Sequence, residues 1–155
     1  MNALCARRQS NSQYGLTLIE ILVVVAIISI VGLVATPLYQ GYTIRTKISS
    51  GIATLAPVQR LSTEYFILNE SWPSDNADAG ANTPDTYAQN FLTSVAISET
   101  PHPGSIILTY DNSTLRMLGN SNTIIYYPVG DSSGHITWRC DEGTMVERYR
   151  PANCR

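Results

Sequence analysis

Gly15-Leu16-Thr17-Leu18-Ile19-Glu20-Ile21-Leu22-Val23-Val24-Val25-Ala26-Ile27-Ile28-Ser29-Ile30-Val31-Gly32-Leu33-Val34-Ala35 is the stretch on which the fold turns. After the glycine it is apolar at almost every position, and Glu20 is its single charge. Twenty helical residues at about 1.5 Å each span roughly 30 Å, the thickness of a bilayer's hydrocarbon core, so the run predicts a membrane-crossing helix. Residues 1–15 carry Arg7 and Arg8 and no acid, which keeps that end in the cytoplasm and sends the remainder outward. A secretory cut after the run would fall at Leu33-Val34-Ala35, where leucine stands in place of the small residue such a site needs. A cut ahead of the run, after Gly15, keeps the helix and creates a new amine at Leu16. Glu20 then acquires meaning: a carboxylate in a membrane helix costs up to roughly 3 kcal/mol when central and calls for a partner. The α-amine is that partner.

The motif from Gly15 to Glu20 and the apolar residues 21–28 resemble the type IV pilin family. The resemblance implies a prepilin peptidase that cuts after Gly15 and methylates Leu16, an assembly role for Leu16 and Glu20, and polymerisation with other pilin subunits. It also implies an inner-membrane assembly platform as partner, and passage from the inner membrane, where the precursor resides, to an extracellular pilus, or fimbrium. Leu16 stands where the family usually has phenylalanine, and fifteen residues make a long leader. Within a bundle of such helices, Glu20 of one subunit neutralises the amine of its neighbour, so a shifted register leaves charges buried.

Beyond the run, Ile48, Ile52, Leu55, Val58, Leu61, Tyr65 and Leu68 recur at helical spacing and predict one long helix whose second half is amphipathic. Pro37 and Pro57 each remove a backbone donor and predict bends in it; pilins resemble this chain in carrying prolines there. Residues 71–104 are rich in Asn, Asp, Ser, Thr, Pro and Gly and read as a connecting loop. Four β-rich runs then predict an antiparallel meander over residues 105–140: 105–110, 114–118, 123–127 and 135–140. The expected organisation is a leader over 1–15, a membrane and filament helix over 16–36, its amphipathic half over 37–70 and an α+β head over 71–155, with a four-stranded antiparallel sheet laid on the helix.

Of three cysteines, Cys5 lies in the leader, leaving Cys140 and Cys154 as a pair in the exported part; one disulfide in an oxidising compartment follows. It closes a loop over 140–154, the region that type IVa pilins, which this stretch resembles, expose on the fibre. The chain has 10 basic and 12 acidic residues, two of the basic ones in the leader. Such a balance does not point to nucleic acid or an anionic membrane as the partner of the whole. Arg139, Arg148 and Arg150 with Trp138 and Tyr149 form the one local pattern suited to nucleic acid.

No catalytic signature occurs, and His102 and His135 stand without neighbouring ligands. Asp75, Asp78 and Asp85 with Gly80 do not follow the ordered spacing of a calcium loop and read as a solvated acidic loop. No enzyme activity, metal or cofactor is expected. The resulting expectation is a type IV pilus subunit in a retractable fibre serving adhesion, twitching motility and DNA uptake. The alternatives are a minor or competence pilin acting as a DNA-binding or adhesive module, and a type II secretion pseudopilin.

Overall fold

The computed structural model describes residues 15, 17–89 and 91–155. Cys5, Arg7, Arg8 and Leu16, on which the leader and processing expectations rest in part, lie outside the described residues. Contacts divide the chain into two compact units, Met1–Leu38 and Tyr39–Arg155. Helix α1, Leu18–Ile52, contributes to both.

In the first unit, α1 starts behind Thr17, whose hydroxyl and carbonyl both accept from the Glu20 N–H, at 3.3 and 3.1 Å. Every side chain described from Leu18 to Leu38 is exposed. Pro37 lies inside the helix and takes one donor out of its backbone ladder. Just before it, the Thr36 hydroxyl donates one turn back to the Gly32 carbonyl at 2.8 Å. Pro37 therefore does not end the helix.

In the second unit, α1 runs to Ile52 and α2 spans Leu55–Asn69. The expected long helix is bent, its ladder broken at Ala53 and Thr54, one turn ahead of Pro57. A proline clashes with the carbonyl four residues back, here that of Ala53, and is best placed in a first helical turn where its missing N–H is not needed. Pro57 occupies the first turn of α2. The buried stripe is Ile44, Ile48, Gly51, Leu55, Val58 and Ser62, alternating steps of four and three. It overlaps the expected stripe at Ile48, Leu55 and Val58, whereas Leu68 is exposed.

Against this stripe lies one sheet in the order β1-β2-β3-β4, all pairs antiparallel: β1 Leu92–Ser98, β2 Ser105–Tyr110, β3 Thr123–Gly130 and β4 Ile136–Glu142. Ile106, Leu108 and Tyr110 of β2 alternate inward and are fully buried, as a strand's two-residue period requires. Gly51 is the point of closest approach: a Cβ there would lie 2.8 Å from the Tyr110 ring, and the Tyr110 hydroxyl donates to the Ile48 carbonyl at 2.8 Å. Pro128 falls beyond the β2–β3 pairing, which ends at Tyr126, where a missing donor is tolerated.

Two expectations about the strands are corrected. Residues 114–118 form a turn, because Asp111 accepts from the Ser113 and Thr114 side chains and Leu115 N–H donates to the Asp111 carbonyl. Leu115 and Leu118 are both buried, a spacing of three that suits a 3-10 turn rather than a strand. The fourth strand is instead β1, inside the region 71–104 read as a connecting loop. Buried Asn76 holds that region to β1, its amide donating to the Val95 carbonyl at 3.1 Å and its oxygen accepting from the Ile97 N–H at 2.7 Å. An edge strand is thereby covered by a side chain that imitates a neighbouring backbone.

Asn76→Ala leaves those two groups without partners and should lower unfolding free energy by about 1–3 kcal/mol in urea titrations of the full chain in detergent. Alkali should also destabilise the second unit. Burial raises the Tyr110 phenol well above its ordinary value of 10.0 and pushes Tyr126 up to about 12, so unfolding releases protons once an exposed tyrosine ionises. Stability is then full below pH 10 and falls as pH rises toward 12; melting temperatures across this window check it, and Tyr110→Phe should flatten the decline.

Candidate functional site

Two regions offer chemistry to a partner, one in each unit. In the first, Thr17 and Glu20 stand in the spacing of a capping box, Thr-x-x-Glu, and the threonine half is formed. Glu20 follows three residues later in the first turn, where a carboxylate is favoured by the helix dipole. It is exposed, and its carboxylate makes no hydrogen bond among the described residues. A carboxylate at the start of a helical stretch, residues 18–38, that buries no side chain suits contact with other helices. Thr17 was legible through this signature, yet the spacing of Gly15 and Glu20 overshadows it. Gly15 is exposed, and Leu16 lies outside the described residues.

In the second unit, Cys140 and Cys154 form a disulfide with Cα atoms 4.7 Å apart and both cysteines buried. The Tyr126 hydroxyl donates to Cys154 Sγ at 3.2 Å. The three arginines named for nucleic acid separate. Arg150 is buried, its guanidinium donating to the carbonyls of Met145 at 2.9 Å, Gly143 at 2.8 Å and Asp141. It holds the loop together and is removed from the set that could meet phosphates. Arg139 is exposed but pairs with Asp141 at 2.8 Å. Asp141 is held below the ordinary carboxylate range first by the hydroxyl of Tyr127, which donates to it at 2.7 Å, and less by Arg139. Arg148 lies over the Tyr149 ring at 4.7 Å, and its carbonyl accepts from Arg45 at 3.4 Å. The only exposed cation of the three without a carboxylate partner among the described residues is therefore Arg148. Nothing in the residue pattern marks Arg150 as internal, since its partners are backbone oxygens.

The acidic loop uses its carboxylates locally: Asp78 accepts from the Ser74 N–H at 3.1 Å and from its hydroxyl, and Asp75 accepts from the Asp78 N–H at 2.9 Å. Asp78 is accordingly held below the usual carboxylate range, first by the Ser74 hydroxyl. His102 meets Glu142 at 2.9 Å and lies against the Tyr127 ring at 4.4 Å. Among the described residues no cluster of His, Cys, Asp and Glu is arranged to hold a metal.

A family profile described as pilin, bacterial filament, matches residues 44–155, and one for the prokaryotic N-terminal methylation motif matches residues 10–36. The fimbrial protein EcpC of Eikenella corrodens is 29% identical over 143 residues, covering 92% of this chain and 91% of that one. A fimbrial protein of Neisseria meningitidis serogroup A is 36% identical over 136 residues, covering 88% and 76%. The type IV major pilin protein PilE of Neisseria gonorrhoeae is 28% identical, covering 92% and 94%. A type IV pilin crystal structure from Pseudomonas aeruginosa superposes with a TM-score of 0.51 at 19% identity, covering 73% of this chain and 98% of that one; at that identity it speaks to the fold.

Replacing both cysteines by serine should lower unfolding free energy by about 3 kcal/mol, the loop-closure value for a ring of this size. Arg150→Gln should cost at least about 2 kcal/mol, because it strips buried carbonyls of charge-assisted bonds. Arg148→Gln should change stability by no more than about 0.5 kcal/mol. Denaturant titrations of the three variants would reverse the structural assignment if Arg148→Gln proved the more damaging arginine change.

Proposed function

The chain belongs to the pilin family of bacterial filament subunits, and from that premise we propose that it is a precursor cut after Gly15 by a prepilin peptidase and polymerised through residues 16–36 into an extracellular type IV pilus. Before assembly those residues cross the inner membrane, and an inner-membrane platform draws subunits from it. One observation carries the reading: from Leu18 to Leu38 the helix presents only exposed side chains, nearly all apolar, with the single carboxylate of Glu20 in its first turn.

Burying a large aliphatic side chain is worth roughly 1.5–3 kcal/mol when it leaves water. Lipid tails, however, are as apolar as leucine, so transfer from bilayer to a bundle of like helices gains little from that source. Packing and charge decide the step instead. Cleavage frees the Leu16 amine, and Glu20 of one subunit neutralises it on a neighbour. A shift of one register leaves both charges buried without partners. Processing thereby creates the group that assembly reads.

The fibre so formed is a structural element without catalysis of its own, serving adhesion and twitching motility through motors outside this chain. DNA uptake finds weaker support, since Arg150 is internal and Arg139 is paired. Arg148 remains the cation through which that second activity would act.

A pairing worth about 1.4 kcal/mol changes each addition step tenfold. Glu20→Ala should therefore reduce sheared fibre by at least about tenfold while the precursor is still exported and folded, and normal fibre yield would defeat the pairing mechanism. N-terminal mass analysis should find a chain beginning at Leu16 and carrying one methyl group. A start at Met1 would defeat the processing.

A further inference from the structure

A cleft of about 370 Å³ in the second unit separates α1 from the turn at Arg116–Leu118, with Tyr39, Lys47, Arg116 and Met117 among its lining. Its charged lining residues are both cations, and neither meets a carboxylate among the described residues; the ammonium of Lys47 lies over the Phe91 ring at 4.4 Å. Asp111, the acid that shapes the turn, engages both carboxylate oxygens with Ser113 and Thr114. Buried Leu115 and Leu118 fasten the turn to the core, while Met117 at its tip is 52% exposed and Tyr39 is 71% exposed. Large apolar groups beside unpaired cations are the composition of a surface that meets lipid headgroups. The bulk acidic charge of the chain hides this local patch.

The position of the cleft along the chain supplies the occupant. Tyr39 follows directly on Leu38, the end of the exposed apolar stretch, and aromatic residues with a polar tip favour the boundary between hydrocarbon and water. Arg116 and Met117 share one small cleft with Tyr39, which keeps them near its level. Lys47, whose ammonium lies over the Phe91 ring, lines the same cleft. We propose that this cleft rests on the exported surface of the bilayer that holds the subunit before assembly. Lys47 and Arg116 bind phosphates of anionic lipids, and Met117 and Tyr39 enter the boundary between headgroups and acyl chains. The inference rests on the reading of residues 16–36 as a membrane span.

The test uses the full chain with Cys5→Ser, its disulfide intact, and one added cysteine carrying a polarity-sensitive fluorophore at Val31, Met117 or Ser133. Each protein is reconstituted in vesicles of phosphatidylcholine with or without phosphatidylglycerol, and quenched by lipids bearing a nitroxide at the headgroup or deep in the acyl chain. The probe at 117 should be quenched from the headgroup level at least about twofold more than the probe at 133, and more strongly with phosphatidylglycerol. Lys47→Gln and Arg116→Gln should each weaken the docked state about fivefold. A probe at 117 no more quenched than the one at 133, or quenching indifferent to phosphatidylglycerol and to both substitutions, overturns the inference while the span stands. A probe at 31 that escapes the deep quencher overturns the span itself, and the inference with it.

Discussion

Everything in the second unit hangs on how closely β2 approaches the end of α1. Gly51 has no side chain, so the Tyr110 ring lies where a Cβ would stand 2.8 Å away, and its hydroxyl reaches the Ile48 carbonyl in a site closed to water. A buried phenol without a partner costs about 1–3 kcal/mol; a helix near its own end offers carbonyls that its ladder does not fully use. The contact therefore fixes the helix both in distance and in axial position. Ile106 and Leu108 follow on the same face of the strand and meet Leu55 and Val58 within one core. The break at Ala53 and Thr54 comes immediately after this contact, with the Thr54 hydroxyl and N–H both closing on the Gly51 carbonyl. That interruption lets the buried stripe continue past a proline.

The first unit obeys the opposite rule. Its helix has no buried side chain among those described, so its own fold explains none of its apolar residues. An amphipathic helix is justified by the core it covers, whereas a helix apolar all round needs an apolar surrounding. Lipid and a bundle of identical helices are two such surroundings, and a chain suited to both is suited to move between them. Since dispersion is similar in each, the proposed assembly takes its asymmetry from the helix start, where Thr17 satisfies the backbone and leaves the Glu20 carboxylate outward.

Features written in consecutive residues were legible: the apolar run, the amphipathic half-helix, the cysteine pair, and the strands expected at 105–110, 123–127 and 135–140. Features that depend on a single polar side chain were not. β1 lies in a stretch whose composition is that of a loop, and Asn76, sixteen residues before Leu92, supplies the bonds a further strand would otherwise give. Residues 114–118 have strand-like composition but obey Asp111, whose side chain turns the backbone before pairing can begin. Arg150 looks like its neighbours Arg139 and Arg148, and only the folded loop brings the carbonyls of Asp141, Gly143 and Met145 to one guanidinium. Thr17 differs from these, since its capping spacing lies in plain view beside a more conspicuous motif.

The guanidinium of Arg150 recognises oxygens that every amino acid carries. Together with the disulfide, it shapes the segment from Asp141 to Met145 without reference to the side chains those positions display. Outward-facing residues in that segment are consequently free to drift. Substitutions at Glu142 or Thr144 cost their own local bonds, with Arg150 still closing the loop, so one framework can carry many different surfaces.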